Sequence, residues 1–174
     1  VIAGDLQPSE GTLLKVQDLY VAYASRNAVQ CLDLHLHHTP AEYMLSLFDS
    51  GHKQPGRKEG HLAPGEVERH LADFGLDSKT AVTQIDQLSG GMKARLALAT
   101  VMFRRPQVLI LDEFVECLEA SDVGCLILAV RQYAGGVIVI SENAGFCESV
   151  GAERWHLGGG SLRAEGHPAC GLSG

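Results

Sequence analysis

The stretch DQLSGGMKARLALATVMFRRPQVLILDEF, residues 86–114, decides the fold class of this chain. A serine and two glycines precede apolar residues at helical spacing, and Pro106 marks the end of the helix. Residues 108–111 are a continuous apolar run, which is typical of a parallel strand covered on both faces. The stretch therefore predicts a turn, a helix and a buried strand that ends in two carboxylates. The predicted apolar side of the helix comprises Met92, Leu96, Ala99 and Phe103.

The turn formed by Ser89, Gly90 and Gly91 has the composition of an anion-binding helix N-terminus. Glycines let the backbone approach a ligand closely, and the unpaired N–H groups of a first helical turn favour an anion. Ser89 adds a hydroxyl group, and Lys93 adds a positive charge one turn into the helix. Taken alone, these three residues are more often a plain serine N-cap with a flexible entry.

The strand in this stretch ends in Asp112 and Glu113. Open α/β sheets bind their ligands at the carboxyl ends of parallel strands. One carboxylate there can hold Mg²⁺, and the next can orient or deprotonate an attacking water. Two acids at a strand end are more often solvated edge residues when they stand alone. The combination of a glycine turn, a helix and an apolar strand ending in two acids is far more specific.

A second strand is predicted one helix later. Residues 120–133 have helical periodicity, and residues 137–140 form another apolar run, predicted to be a second buried strand. A strand, a helix and a strand at this spacing indicate a βαβ unit with a parallel sheet. Residues 154–157 then predict a late strand that is followed by a glycine turn at 158–160.

The N-terminal half predicts a small antiparallel β piece within residues 12–23, and then two helices. Thr39 and Glu42 form a capping box that starts the first helix, with a proline in its first turn. The second helix, about 64–74, ends before a glycine. The intervening residues 49–63 are rich in Gly, Lys, His and Pro and predict an exposed loop.

The composition is that of an ordinary globular protein. The 174 residues are long enough to bury a core as one domain, and 45% of them are hydrophobic. No apolar run approaches the length of a membrane span, and the net charge of −7 argues against broad nonspecific binding of nucleic acid. The sequence does not open with a signal peptide, and its scattered cysteines suit reduced thiols, so a cytoplasmic location is expected. These five cysteines are Cys31, Cys117, Cys125, Cys147 and Cys170.

Two motifs of the opening stretch resemble those of the ATP-binding cassette (ABC) ATPases. Leu88-Ser89-Gly90-Gly91 is similar to the signature motif of that family. Leu109-Ile110-Leu111-Asp112-Glu113 is similar to its Walker B strand and catalytic glutamate. The resemblance extends over residues 4–160 and implies an α/β cassette fold: a parallel β core, a small antiparallel β piece and a helical signature subdomain.

Finer features resemble the ABC-F branch and the fungal elongation-factor-3 type, which act on ribosomes. They are the stretches GDLQPSEG (4–11), VAY (21–23), LDL (32–34), TPAEY (39–43), RP (105–106) and GGVIVIS (135–141). The first of these lies just after the phosphate-loop helix in that branch. The resemblance therefore implies a single partial cassette that lacks the N-terminal Walker A segment. Its implied parts are the β piece and Q-loop region (1–38), the helical signature region (39–105), the Walker B core (106–160) and a tail (161–174).

One stretch imitates the missing phosphate loop. GHKQPGRK, residues 51–58, is close to G-x-x-x-x-G-K-[ST], but Arg57 stands at the lysine position and Lys58 at the Ser/Thr position. It follows a helical stretch instead of a strand, and Pro55 removes an N–H group from the phosphate cradle. We therefore reject it as a phosphate loop.

Several family positions hold unusual residues. By the resemblance, the Q-loop glutamine falls on Arg26, whose guanidinium cannot coordinate a cation. The D-loop aspartate falls on Glu119 and the switch histidine on Glu142, while Met92 replaces the usual glutamine after the signature glycines. Together these departures imply a degenerate site in the cassette's own Walker B half.

The resemblance also implies ligands and partners, since in this family two cassettes bind ATP and Mg²⁺ between them. Ser89, Gly90 and Gly91 would contact a nucleotide held mainly by a second cassette. Asp112 would serve the Mg²⁺ site and Glu113 would be the general base. A ribosome is a further implied partner. Whether the chain takes part in hydrolysis is left open, and the alternative is an inactive cassette that acts as a binding or scaffold module.

Overall fold

The computed structural model describes residues 7, 9, 11–17, 19–48, 65–159 and 161–165. The helices are α1 (Arg26–Gln30), α2 (Pro40–Phe48), α3 (Glu66–Asp73), α4 (Ser78–Ala81), α5 (Gly90–Met102), α6 (Ala120–Gln132) and α7 (Ala144–Val150). The strands are β1 (Val21–Ser25), β2 (Val108–Asp112), β3 (Gly136–Ile140), β4 (Trp155–Gly158) and β5 (Ser161–Ala164). Short 3-10 helices span Cys31–His35, Ile85–Gln87 and Val115–Cys117. The predicted loop at 49–63 and the rejected stretch 51–58 lie outside the described residues.

Strands β1, β2 and β3 form a parallel sheet with β2 in its centre. The central strand is the predicted apolar run, and Leu109, Ile110 and Leu111 are almost completely buried. Helix α6 connects β2 to the parallel strand β3, so the predicted βαβ unit is confirmed. The chain is an α/β protein with a parallel core, as the sequence indicates.

Strand β3 is less buried than predicted. Its bounds agree with the apolar run at 137–140, but its middle residues are half-buried and Ile140 is 50% exposed. The reason is its position, because β3 lies at an edge of the sheet within the described part of the chain. A continuous apolar run does not distinguish an edge strand from a central one.

The antiparallel β piece predicted within residues 12–23 is wrong. Residues 12–16 have no regular secondary structure, and the strand that starts at Val21 joins the parallel sheet. Its small residues Ala22 and Ala24 are 3% and 0% exposed, because helix α5 packs against β1. The antiparallel sheet consists of β4 and β5, with Trp155 opposite Ala164 and Leu157 opposite Leu162. It includes the late strand predicted at 154–157.

The capping box that starts α2 is confirmed. The Thr39 N–H donates to Glu42 Oε2 at 2.9 Å, and the Glu42 N–H donates to Thr39 Oγ1 at 3.2 Å. The hydrogen bond from the Thr39 N–H favours the ionised carboxylate and, together with the Thr39 side chain, holds the pKa of Glu42 below its usual value. Helix α3 ends as predicted at a glycine, Gly75, whose φ of 72° few other residues adopt without strain.

Helix α5 packs against α1, α3 and β1. Most of its predicted apolar side is buried: Leu96 and Ala99 are fully covered, and Phe103, which directly follows the helix, is 8% exposed, whereas Met92 is half-buried. The opposite face is buried too at Ala94 and Ala97, because these small side chains allow close packing on that side. Within the described residues, no helix is both long and apolar enough to cross a membrane.

Candidate nucleotide site

The parallel register gathers four of the predicted site residues at one edge of the sheet. Ser25, Asp112 and Ile140 are aligned across the three strands as their last residues. Arg26, Glu113 and Glu142 follow these strand ends directly or within two residues. The predicted Walker B acids and two of the unusual family positions therefore share the carboxyl edge, where parallel sheets bind ligands.

Asp112 is held by a neighbouring strand. The Tyr23 hydroxyl on β1 donates a hydrogen bond to Asp112 Oδ2. The two-residue period of a strand places Tyr23 on the same face as Ser25, which is the register partner of Asp112. Asp112 is half-buried at the sheet edge, so this hydrogen bond gives its carboxylate a defined orientation.

Glu113 has a left-handed backbone, with φ of 49°. This conformation costs a residue with a side chain about 1 kcal/mol. A hydrogen bond of 2.8 Å from the Glu113 N–H to the Ile140 carbonyl oxygen fixes it at the end of β3. The chain therefore turns sharply between the two acids, and the Glu113 side chain is left exposed while Asp112 is half-buried. Non-glycine residues at positive φ are enriched in functional sites.

The segments beside these acids are also fixed by side-chain contacts. The Ser141 hydroxyl donates to Glu116 Oε1 at 2.7 Å and accepts from the Asn143 N–H at 3.0 Å, so the turn carrying Glu142 is attached to the segment after β2. Burial raises the pKa of the Cys117 thiol, and the nearby Arg26 guanidinium partly offsets this effect. Arg26 therefore contacts the same segment from the end of β1.

The donor set at the sheet edge fits Mg²⁺ in part. Asp112 is suitable, because Mg²⁺ commonly binds one or two carboxylates and takes its other ligands from water and phosphate oxygens. The described residues contain no group of three or more His, Cys, Asp and Glu side chains that could hold a metal by themselves. Arg26 does not fit, since a guanidinium has only donors and its charge opposes a cation.

The predicted anion-binding turn begins α5. Ser89 is the N-cap residue, and its Oγ accepts a hydrogen bond from the Met92 N–H at 3.2 Å. Apart from its chain neighbours and the backbone of its own helix, no described atom lies within 4 Å of where a Cβ on Gly90 would be. Lys93, the basic residue of the first turn, lies 3.6 Å from Asp33 Oδ1. The turn thus has the predicted local structure and is accessible at Gly90.

A carboxylate from elsewhere in the chain also contacts this turn. The Ser89 hydroxyl donates to Glu119 Oε1 at 3.2 Å. A Cβ on Gly91 would be only 2.7 Å from the same oxygen, so the Glu119 side chain lies directly against the Gly91 backbone. The segment 113–119 therefore connects the two candidate halves, from the end of β2 to the start of α5.

Sequence reasoning missed two of these partners, Tyr23 for Asp112 and Glu119 for Ser89. The members of each pair lie 89 and 30 residues apart, so no local spacing rule relates them. The first pair needs the β1–β2 register. The second needs the position of α6 relative to α5, and no signal in the sequence specifies that position.

Comparison with known proteins identifies the family. Residues 1–116 match the family model described as ABC transporter, so the chain belongs to the ATP-binding cassette family. Its relatives place it in the ABC-F-like branch. Over 88% of its length it is 31% identical to ABC transporter F family member 4 of Arabidopsis thaliana, and over 95% it is 33% identical to human ATP-binding cassette sub-family F member 3. Over 55% it is 37% identical to elongation factor 3 of Gonapodya prolifera.

The chain spans only a small part of these relatives: 20% and 22% of the two F-family members and 9% of the elongation factor. Among solved structures, it resembles a dimeric bacterial ABC transporter cassette with a TM-score of 0.59 and 15% identity. That match covers 76% of this chain and 56% of the cassette. A post-hydrolysis state of the same cassette, bound to ADP and phosphate, gives a TM-score of 0.57, 17% identity and the same coverage. These matches establish the cassette fold.

Proposed function

We propose that this chain supplies the signature turn for a nucleotide that a second cassette holds by its own phosphate loop. The observation that carries the proposal is the N-terminus of α5. Ser89 caps this helix, and the adjacent Gly90 presents an exposed backbone with no described atom within 4 Å of its missing side chain. A helix N-terminus of this kind favours phosphate through its N–H groups and its dipole.

In this proposal the phosphates are held by the phosphate loop of the second cassette, since the 174 residues themselves include no G-x-x-x-x-G-K-[ST] stretch. That loop cradles the phosphates with its backbone, and its lysine neutralises them. Without it, the turn at Ser89 offers a few N–H groups and one hydroxyl, which is too little to hold ATP alone. The solved cassette with the same fold is a dimer, which supports pairing of two cassettes here.

The carboxyl edge of the sheet would form the other site of the pair. Asp112 would hold Mg²⁺ there, and Glu113 would be the general base for an attacking water. Arg26 adds a fixed positive charge beside the metal position, and Glu142 adds a negative charge where the family has a histidine that contacts the γ-phosphate. We infer that this site is degenerate and that the pair hydrolyses ATP mainly at the site completed by Ser89.

The biological setting in this proposal is translation. The relatives are F-family cassette proteins and elongation factors, and the resemblance to that branch implies ribosome-associated proteins. An overall charge of −7 does not favour unspecific contact with RNA, so a cassette of this kind would rely on a defined contact.

A second candidate function is an inactive cassette that serves as a binding or scaffold module. The positions of Arg26 and Glu142 favour it, because both follow strand ends next to the predicted catalytic acids. The two candidates differ in whether nucleotide controls pairing. A scaffold would bind its partner with or without ATP.

The test is ATP-dependent association. In equilibrium titrations with labelled ATP and Mg²⁺, we expect the isolated chain to bind weakly or not at all. With a second cassette that carries a phosphate loop, sedimentation should show a complex that requires ATP and is lost in Ser89→Glu. Saturable micromolar ATP binding by the isolated chain, or pairing that is indifferent to ATP and to Ser89→Glu, would contradict the proposal.

A further inference from the structure

We infer that Glu119 is an autoinhibitory group, an internal anion that contacts Ser89 and Gly91 of the Ser89-Gly90-Gly91 turn and competes with phosphate for it. The inference deepens the proposed function and rests on it. Its basis is the carboxylate position, with Oε1 at 3.2 Å from Ser89 Oγ and against the backbone of Gly91. A carboxylate at a helix N-terminus interacts with the same dipole and the same donors as a phosphate oxygen.

Local structure shows that Glu119 is directed toward α5. Glu119 is the N-cap residue of α6, a position that Ser, Thr, Asp or Asn usually holds because their short side chains accept a hydrogen bond from the first turn. Its side chain makes no such cap hydrogen bond and instead reaches the start of α5. The N-caps of α5 and α7, by contrast, each accept from their own first turn.

Two further acids of the chain lie beside the basic residues that follow this turn. Both basic residues in the first two turns of α5 are paired with carboxylates of the same chain: Lys93 lies 3.6 Å from Asp33, and Arg95 lies 3.4 Å from Asp122. Acids of the same chain therefore compete with phosphate for both of these positive charges. Glu119 is the acid that contacts the serine hydroxyl itself.

Release of Glu119 is geometrically simple. Its side chain is exposed, so it can rotate into solvent without opening the core.

The experiment is a titration of the full 174-residue chain with inorganic pyrophosphate, followed by the NMR shifts of the Gly90 and Gly91 amides. Glu119→Gln removes the charge and keeps an acceptor for Ser89, whereas Glu119→Ala removes both. We expect the affinity of the turn for pyrophosphate to rise roughly fivefold in Glu119→Gln, because one negative charge is removed from a helix N-terminus. The affinity should rise further in Glu119→Ala. Glu153→Gln is the matched control, since it makes the same charge change in the loop before β4.

Equal affinity in the wild type and both Glu119 variants would overturn the inference, as would the same gain in Glu153→Gln. The amide spectra also report whether each variant is folded. The titration needs no partner cassette, so it is independent of the pairing experiment. A gain specific to Glu119 together with absent ATP-dependent pairing would refute the proposed function and leave the inhibitory contact established.

Discussion

Asp112 and Glu113 are neighbours in sequence with different environments. Asp112 remains in the strand and accepts a hydrogen bond from Tyr23, whereas Glu113 leaves the strand at a φ of 49° and is exposed. One carboxylate is therefore fixed at the sheet edge, as a metal ligand requires, and the other faces solvent, where a water can reach it. The sequence places both acids at the strand end, but their different environments depend on backbone geometry.

The contribution of Glu42 to the stability of the folded chain should depend on pH. The Thr39 N–H and the Thr39 side chain lower the pKa of Glu42, so the ionised form stabilises the folded state. This contribution is fully present above the unfolded carboxyl pKa and is lost as the pH falls through the lower folded pKa. We expect Glu42→Gln to reduce the free energy of unfolding in urea at neutral pH and to have almost no effect in strong acid. A deficit that persists unchanged in acid, or that Glu153→Gln reproduces, would contradict this account.

Elements with a strong local signal were predicted well. The periodicity of α5 and the apolar run of β2 specify these elements by themselves, and the capping box locates the start of α2. The piece at 12–23 was mispredicted because short β-prone runs do not indicate their partner, and β1 pairs with a strand 87 residues further along the chain. The family match supplies the parallel architecture, while side-chain pairs such as Ser89 and Glu119 follow only from packing.

Replacing either of two glycines by alanine should change the free energy of unfolding, and the two changes should have opposite signs. Gly124 lies exposed in the interior of α6, with no described atom within 4 Å of its missing Cβ, so Gly124→Ala should stabilise the chain by up to about 1 kcal/mol. Gly135 precedes β3, and a Cβ there would be 2.2 Å from the Gln107 carbonyl oxygen, which belongs to the backbone. Gly135→Ala should therefore destabilise the chain markedly. Urea unfolding of both variants tests this, and a shift of the same sign in each would show that the α6–β3 junction is packed differently.

At the scale of the whole molecule, we propose that the two candidate halves belong to different sites. The Ser89 turn would serve a nucleotide held by the partner cassette, and the Asp112–Glu113 edge would belong to the site completed by the partner's own turn. The unusual residues Arg26 and Glu142 follow strand ends at the same sheet edge as Asp112 and Glu113. The chain is thus predicted to contribute unequally to a pair, with an intact signature turn and an impaired catalytic edge.

The most direct test of this central claim compares the steady-state ATPase rates of Ser89→Glu and Glu113→Gln in the same intact two-cassette assembly. Ser89→Glu places a negative charge against the phosphate and should abolish most turnover. Glu113→Gln removes a base from an impaired site and should lower turnover far less. If Glu113→Gln is the more damaging substitution, the asymmetry is reversed and this chain carries the working catalytic half.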